Sequence, residues 1–138
     1  KERHSITALK ESLIRLFEET MLLRDSQTAS KYSQVLEEAR AFIRGNYARE
    51  DISLNTVAAR VNISPSYFSS IFSQEMGVTF VEYLTSVRME RAKELLQETN
   101  LPVSEICTQV GYGDLKHFNQ TFKKVTSLSP GQYRKLYG

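Results

Sequence analysis

Ser53-Leu54-Asn55-Thr56-Val57-Ala58-Ala59-Arg60-Val61-Asn62-Ile63-Ser64-Pro65-Ser66-Tyr67-Phe68-Ser69-Ser70-Ile71-Phe72 is the stretch whose reading decides the fold. Leu54, Val57, Ala58 and Val61 fall at i, i+3, i+4 and i+7, the spacing of a short helix with one buried stripe. Asn62 tolerates a positive φ, and Ile63 adds one apolar residue. Ser64 followed by Pro65 then restarts a helix. The hydroxyl can accept a first-turn amide, and proline suits a first helical position, which needs no amide hydrogen. In this second helix Phe68, Ile71 and Phe72 face the core, and Ser66, Ser69, Ser70 and Ser73 share the opposite face.

The same pattern returns downstream. Val103, Ile106, Cys107 and Val110 repeat the first stripe, Gly111 and Tyr112 repeat the turn, and Asp114 repeats the cap, with Gly113 as one extra turn residue. Phe118, Thr121, Phe122 and Val125 then repeat the core face, while Lys116, Asn119, Gln120 and Lys123 repeat the outward face. Residues 53–83 and 102–133 are two copies of one unit.

Outside the copies the apolar steps of three and four continue, and no alternating stretch suggests a strand. A long helix is expected from Thr79 to Thr99, opened by the capping box Thr79-x-x-Glu82 and stopped by Asn100 and Pro102. Ile6, Leu9, Leu13, Leu16 and Leu23 predict an N-terminal helix. The polar run Arg24-Asp25-Ser26-Gln27-Thr28 reads as a linker, and Val35, Leu36, Ala39, Phe42 and Ile43 predict a further helix to about Tyr47. The fold class is all-α: two helix-turn-helix subdomains joined by a long central helix, with an extra N-terminal helix. The expected division is 1–28 for the N-terminal helix and linker and 29–138 for the domain. Within it the helix-turn-helix units cover about 53–76 and 102–125, and the connector covers 79–99.

At 138 residues, 41% apolar and 25% charged, the chain suits one small globular domain. The first residue is Lys1, so an upstream sensing region is expected to be missing. No membrane span or secretory signal is visible, and the single Cys107 has no partner for a disulfide, which suits the cytoplasm. The net charge is only +2, yet residues 102–138 set Lys116, Lys123, Lys124, Arg134 and Lys135 against Glu105 and Asp114 alone. An enzyme is not expected, because His4, His117 and Cys107 form no nucleophile-base pattern or metal spacing, and no cofactor is implied.

Helix, short turn and second helix with a polar outer face is the helix-turn-helix design, in which the second helix reads the major groove. Hydroxyls, amides and ammonium groups can bond base edges there, and neither outer face carries a carboxylate. Base-reading candidates are Ser66, Ser69 and Ser70 in the first unit and Lys116, Asn119 and Gln120 in the second. Ser53, Ser73, Lys123 and Lys124 are the candidates for the DNA backbone. A connector of about 20 residues is about 30 Å long. Successive major grooves on one DNA face lie about 34 Å apart, so one chain is expected to address one duplex without a palindrome. The rival reading is a helical protein-interaction module that binds no DNA.

The ordered motifs Ser64-Pro65-Ser66-Tyr67-Phe68-Ser69, Gly77-Val78-Thr79-Phe80, Arg88, Ala92-Lys93, Leu95-Leu96, Val110-Gly111-Tyr112, Phe122-Lys123-Lys124 and Ser129-Pro130-x-x-Tyr133-Arg134 resemble the AraC/XylS family DNA-binding domain. The resemblance runs from about residue 35 to Arg134. It implies seven helices in two subdomains and sequence-specific binding of double-stranded DNA that regulates transcription, most often as an activator. It also implies RNA polymerase as a partner and places base reading on the same six residues. Within the family the chain is most similar to output domains of response regulators. A homodimer through the N-terminal helix or an absent upstream domain is a further expectation. Three residues depart from the family pattern: Ser127 stands in place of a glycine that would suit a positive-φ turn, Cys107 in place of alanine, and His117 in place of an aromatic residue.

Overall fold

The computed structural model describes residues 26–138, with side chains from residue 32 onward. Within that span the elements are seven helices and no strand: α1 Ser26–Asn46, α2 Leu54–Arg60, α3 Pro65–Met76, α4 Phe80–Glu98, α5 Val103–Gln109, α6 Leu115–Thr126 and α7 Pro130–Tyr137. The predicted helix Ile6–Leu23, and any pairing of copies through it, lies outside the described residues. The linker reading needs correction at its C-terminal end, because Ser26, Gln27 and Thr28 already belong to α1. No glycine or proline interrupts the sequence from there to Arg44, so polarity alone does not stop a helix that Gln27, Ala29 and Lys31 favour.

Two compact units divide the chain. One holds the described residues up to Ile43 together with Ser53–Tyr83, and the other holds Arg44–Ile52 with Leu84–Gly138. In the first unit Val57, Ala58, Phe68 and Phe72 have no solvent exposure, and Leu36, Ala39 and Ile43 of α1 are buried as well. Phe68, Phe72 and Phe80 make a mutual ring cluster with centroids 5.6 to 6.3 Å apart, and Tyr83 meets Phe72 edge-on at 5.6 Å. Burying rings of this size contributes roughly 2 to 3 kcal/mol each, far more than the intrinsic helix preference of the seven-residue α2 can supply.

The second unit repeats this core. Met89, Ala92, Leu95 and Leu96 of α4 join Ile106, Cys107, Val110, Tyr112, Phe118 and Phe122, and Leu101, Val103, Val125 and Tyr133 pack against the cluster. Two arginines tie carbonyl ends into it. Arg88 donates from Nε to Tyr47 O at 2.9 Å and from Nη2 to Arg49 O at 3.0 Å, just past the end of α1, while its guanidinium lies 5.2 Å from the Tyr112 ring centroid. Arg134 donates to Leu96 O and Thr99 O, both at 3.1 Å, at the end of α4. These bonds satisfy carbonyls that a helix terminus leaves without an internal partner.

Ser127 adopts φ 69° although it is not glycine, and its amide donates to Lys123 O at 2.7 Å, as Gly77 at φ 74° does to Ser73 O at 3.1 Å. The turn that the sequence disfavours is therefore kept. It is held by Thr126 Oγ1, which accepts from Leu128 N at 3.2 Å, and by the Ser129 capping box that follows. Gly111, at φ 103°, is the opposite case: an added Cβ would meet Tyr47 O at 2.6 Å and the Arg88 guanidinium at 3.0 Å. Urea unfolding of two variants checks this contrast. Ser127→Gly should raise stability by up to about 1 kcal/mol through relief of left-handed strain, and Gly111→Ala should lower it by about 2 kcal/mol or more.

Candidate nucleic-acid interface

α3 and α6 are each aimed by the turn before them, and the two turns are built from the same bonds. Val61 N donates to Val57 O, Asn62 N to Ala59 O and Ile63 N to Ala58 O at 3.1 to 3.2 Å, and the counterparts Val110, Gly111 and Tyr112 bond Ile106, Thr108 and Cys107 at 3.0 to 3.1 Å. Asn62 and Gly111 both take positive φ, 61° and 103°. Ser64 Oγ then accepts from Tyr67 N at 3.2 Å, and Asp114 Oδ1 accepts from Lys116 N at 3.0 Å, so α3 and α6 each begin on a side-chain cap. Asp114 is thereby spent on the helix start, where a negative charge also suits the helix dipole.

The buried aromatic pairs fix which face of each helix is left outside. In α6 Phe118 and Phe122 have no exposure, and Lys116, Asn119, Gln120 and Lys123 are all exposed on the far side. None of those four side chains makes a hydrogen bond or ion pair within the described residues. Lys124 is exposed beside them, and with Lys123 it places two ammonium groups in the last turn. In α3 Ser66 and Ser70 are exposed, while Ser69 and Ser73 are half-buried along the edge. Ser53 is differently placed. It is the N-cap of α2, its Oγ accepting from Thr56 N at 3.3 Å, while Thr56 Oγ1 accepts from Ser53 N at 2.9 Å.

Two residues of the second turn region sit where their packing, not chemistry, is the main fact. The Cys107 thiol is buried and reaches Tyr112 O at 3.5 Å, and burial pushes its pKa up, which keeps it a protonated core group. His117 meets the Tyr112 ring edge-on at 5.3 Å. Among the described residues no group of three or more His, Cys, Asp or Glu side chains could hold a metal, and no helix is long and apolar enough to cross a membrane.

Sequence reasoning missed Leu115 and Tyr67, which are 41% and 45% exposed on α6 and α3. Leu115 stands three residues before Phe118, a spacing that looks like core. Its position as the first residue of α6 leaves it at the rim instead. Glu50 was missed too. Its carboxylate lies where a side chain at Gly113 would go, so the extra turn residue has room for glycine only unless Glu50 moves.

The family model described as "Helix-turn-helix domain" matches residues 57–136, which takes in both turns together with α3 and α6. The chain belongs to the AraC-type helix-turn-helix family. The arabinose operon regulatory protein of Escherichia coli (strain K12) is 32% identical over 99 residues, covering 72% of this chain and 34% of that protein. The Msm operon regulatory protein of Streptococcus mutans is 30% identical over 123 residues, 89% of this chain and 44% of that protein. Among solved structures, the C-terminal domain of AraT, a response regulator from Geobacillus stearothermophilus, is 41% identical with a TM-score of 0.73, over 74% of this chain and 84% of that one. The chain thus spans less than half the length of these curated relatives.

In this AraC-type domain the caps matter because they set where α3 and α6 begin. Ser64→Ala and Asp114→Ala should each cost about 1 kcal/mol of stability, the usual worth of an N-cap, read as a shift in urea midpoint.

Proposed function

We propose that this chain is the DNA-reading output domain of a transcription regulator and that it binds double-stranded DNA through two major-groove helices, α3 and α6. The single observation that carries the reading is the pair of equivalent capped turns. Each leads into a helix whose buried face is aromatic and whose outer face holds hydroxyls, amides and ammonium groups without a carboxylate. Ser66, Ser69 and Ser70 of α3 and Lys116, Asn119 and Gln120 of α6 read base edges. Ser53, Ser73, Lys123 and Lys124 hold the phosphate backbone. The regulator acts as an activator in contact with RNA polymerase, in the cytoplasm, and an upstream receiver domain controls it. The likeness to a response regulator's C-terminal domain supports that last point.

Selection from random duplexes followed by binding of two variants tests the assignment. Lys123→Ala should weaken binding to every duplex and reduce the slope of log affinity against log salt by about one phosphate contact. Gln120→Ala should relax preference at a single base pair, by roughly 1 to 3 kcal/mol, because an amide pairs bidentately with adenine. A protein-interaction module would select no duplex at all.

Joint reading by the two helices has its own consequence. A selected site should contain two short blocks about one helical turn apart, 10 to 10.5 base pairs, read by one chain without a palindrome. Inserting five base pairs between the blocks should lower affinity more than about tenfold, the equivalent of losing one or two base-pair contacts. Unchanged affinity for the spaced site would show that only one helix reads.

A further inference from the structure

Beside the second reading helix lies an open recess of about 460 Å³ whose apolar wall is Val103, Leu115 and Pro130 and whose polar rim includes Asn119, Gln120 and Lys123. Val103 opens α5, Leu115 opens α6 and Pro130 opens α7, so three helix starts converge on it. Leu115 is 41% exposed there, in a helix whose phenylalanines have no exposure at all. The rim is made of the same side chains that face outward for base reading, so the recess is continuous with that surface.

Charge restricts the occupant. Lys123 stands on the rim, Lys116 and Lys124 are exposed on the same helix, and the nearest acid on that helix, Asp114, is engaged in its cap. The surface therefore suits a polyanion that also carries an apolar group. In the major groove only one base has such a group, the 5-methyl of thymine. The first turn of a reading helix is also the part that comes nearest to base edges.

We propose that Leu115, with the Val103 and Pro130 wall behind it, is a specificity-determining residue that reads the 5-methyl group of one thymine in the operator. This rests on the DNA-reading function proposed above and adds to it a base, a contact type and a residue outside the polar reading set. Leu115 prefers thymine over cytosine and uracil at that position by burying the methyl group, and it makes no hydrogen bond.

Deoxyuridine scanning of a duplex selected by the 138-residue chain tests this, since deoxyuridine removes the methyl and keeps every hydrogen-bonding group of thymine. At one thymine the replacement should weaken binding about fourfold, the equivalent of about 0.8 kcal/mol for one buried methyl. In Leu115→Ala that loss should vanish, and in Gln120→Ala it should persist. Because Leu115 is exposed, the alanine variant is expected to unfold at the parent's urea midpoint, which separates a lost contact from a lost fold. A chain that selects a duplex yet shows no thymine sensitive to methyl removal would overturn the inference and leave the DNA reading standing. A sensitivity unchanged in Leu115→Ala would do the same. A chain that selects no duplex would overturn the DNA reading itself, and the thymine contact with it.

Discussion

Everything in this chain depends on two aromatic pairs returning to the core across a turn too short for a loop. Phe68 with Phe72 and Phe118 with Phe122 have no exposure, and each pair begins only a few residues after a helix that is itself buried on one side. Such a return requires one residue in left-handed backbone followed at once by a helix start, and Asn62 with Ser64 and Gly111 with Asp114 supply both. The outward faces of α3 and α6 are then settled without further choice, because a helix with its aromatic stripe fixed has only one opposite side. The polar outer faces are a by-product of the cores.

Short helices need this support. The seven-residue α2 and α5 would not persist alone, since a helix of two turns gives too few bonds to offset its nucleation. Their stability comes from the buried stripe, Val57 and Ala58 in α2 and Ile106 and Cys107 in α5, while Arg88 and Arg134 tie down chain ends elsewhere in the second unit. Arg88 is half-buried, and burial lowers its pKa from an intrinsically very high value, so the cation is retained. Its planar fork meets two carbonyls and a ring together, a task for which a lysine has the wrong shape.

The two units share a plan and differ in chemistry. Ser53 caps α2 with its side chain, whereas Pro102 at the corresponding place offers α5 no side-chain bond. The outer face of α3 is neutral and short, and that of α6 carries Lys116 and Lys123 with two amides between them. The two outer faces therefore differ in chemistry more than in geometry, hydroxyls on α3 against charge and amide on α6.

The sequence by itself determined the all-helical class, the repeat, the positive-φ residues Asn62 and Gly111, the caps at Ser64 and Asp114 and the Thr79 capping box. It also determined the family. All of the structural features on that side are short-range, because a cap or a periodic stripe is defined within about one helical turn. What only the structure decided begins with one local turn and otherwise lies across longer separations. The left-handed turn at Ser127 is affordable because Thr126 and the following cap hold it, a balance that residue type alone reads the other way. Leu115 looks like core by its spacing to Phe118, and only the helices starting at Val103 and Pro130 leave it on a surface recess. Glu50 beside Gly113 and Arg88 at Tyr47 are unreadable from either neighbourhood, since each contact joins residues about 40 or more positions apart, and burial is set by whatever the fold brings from that distance.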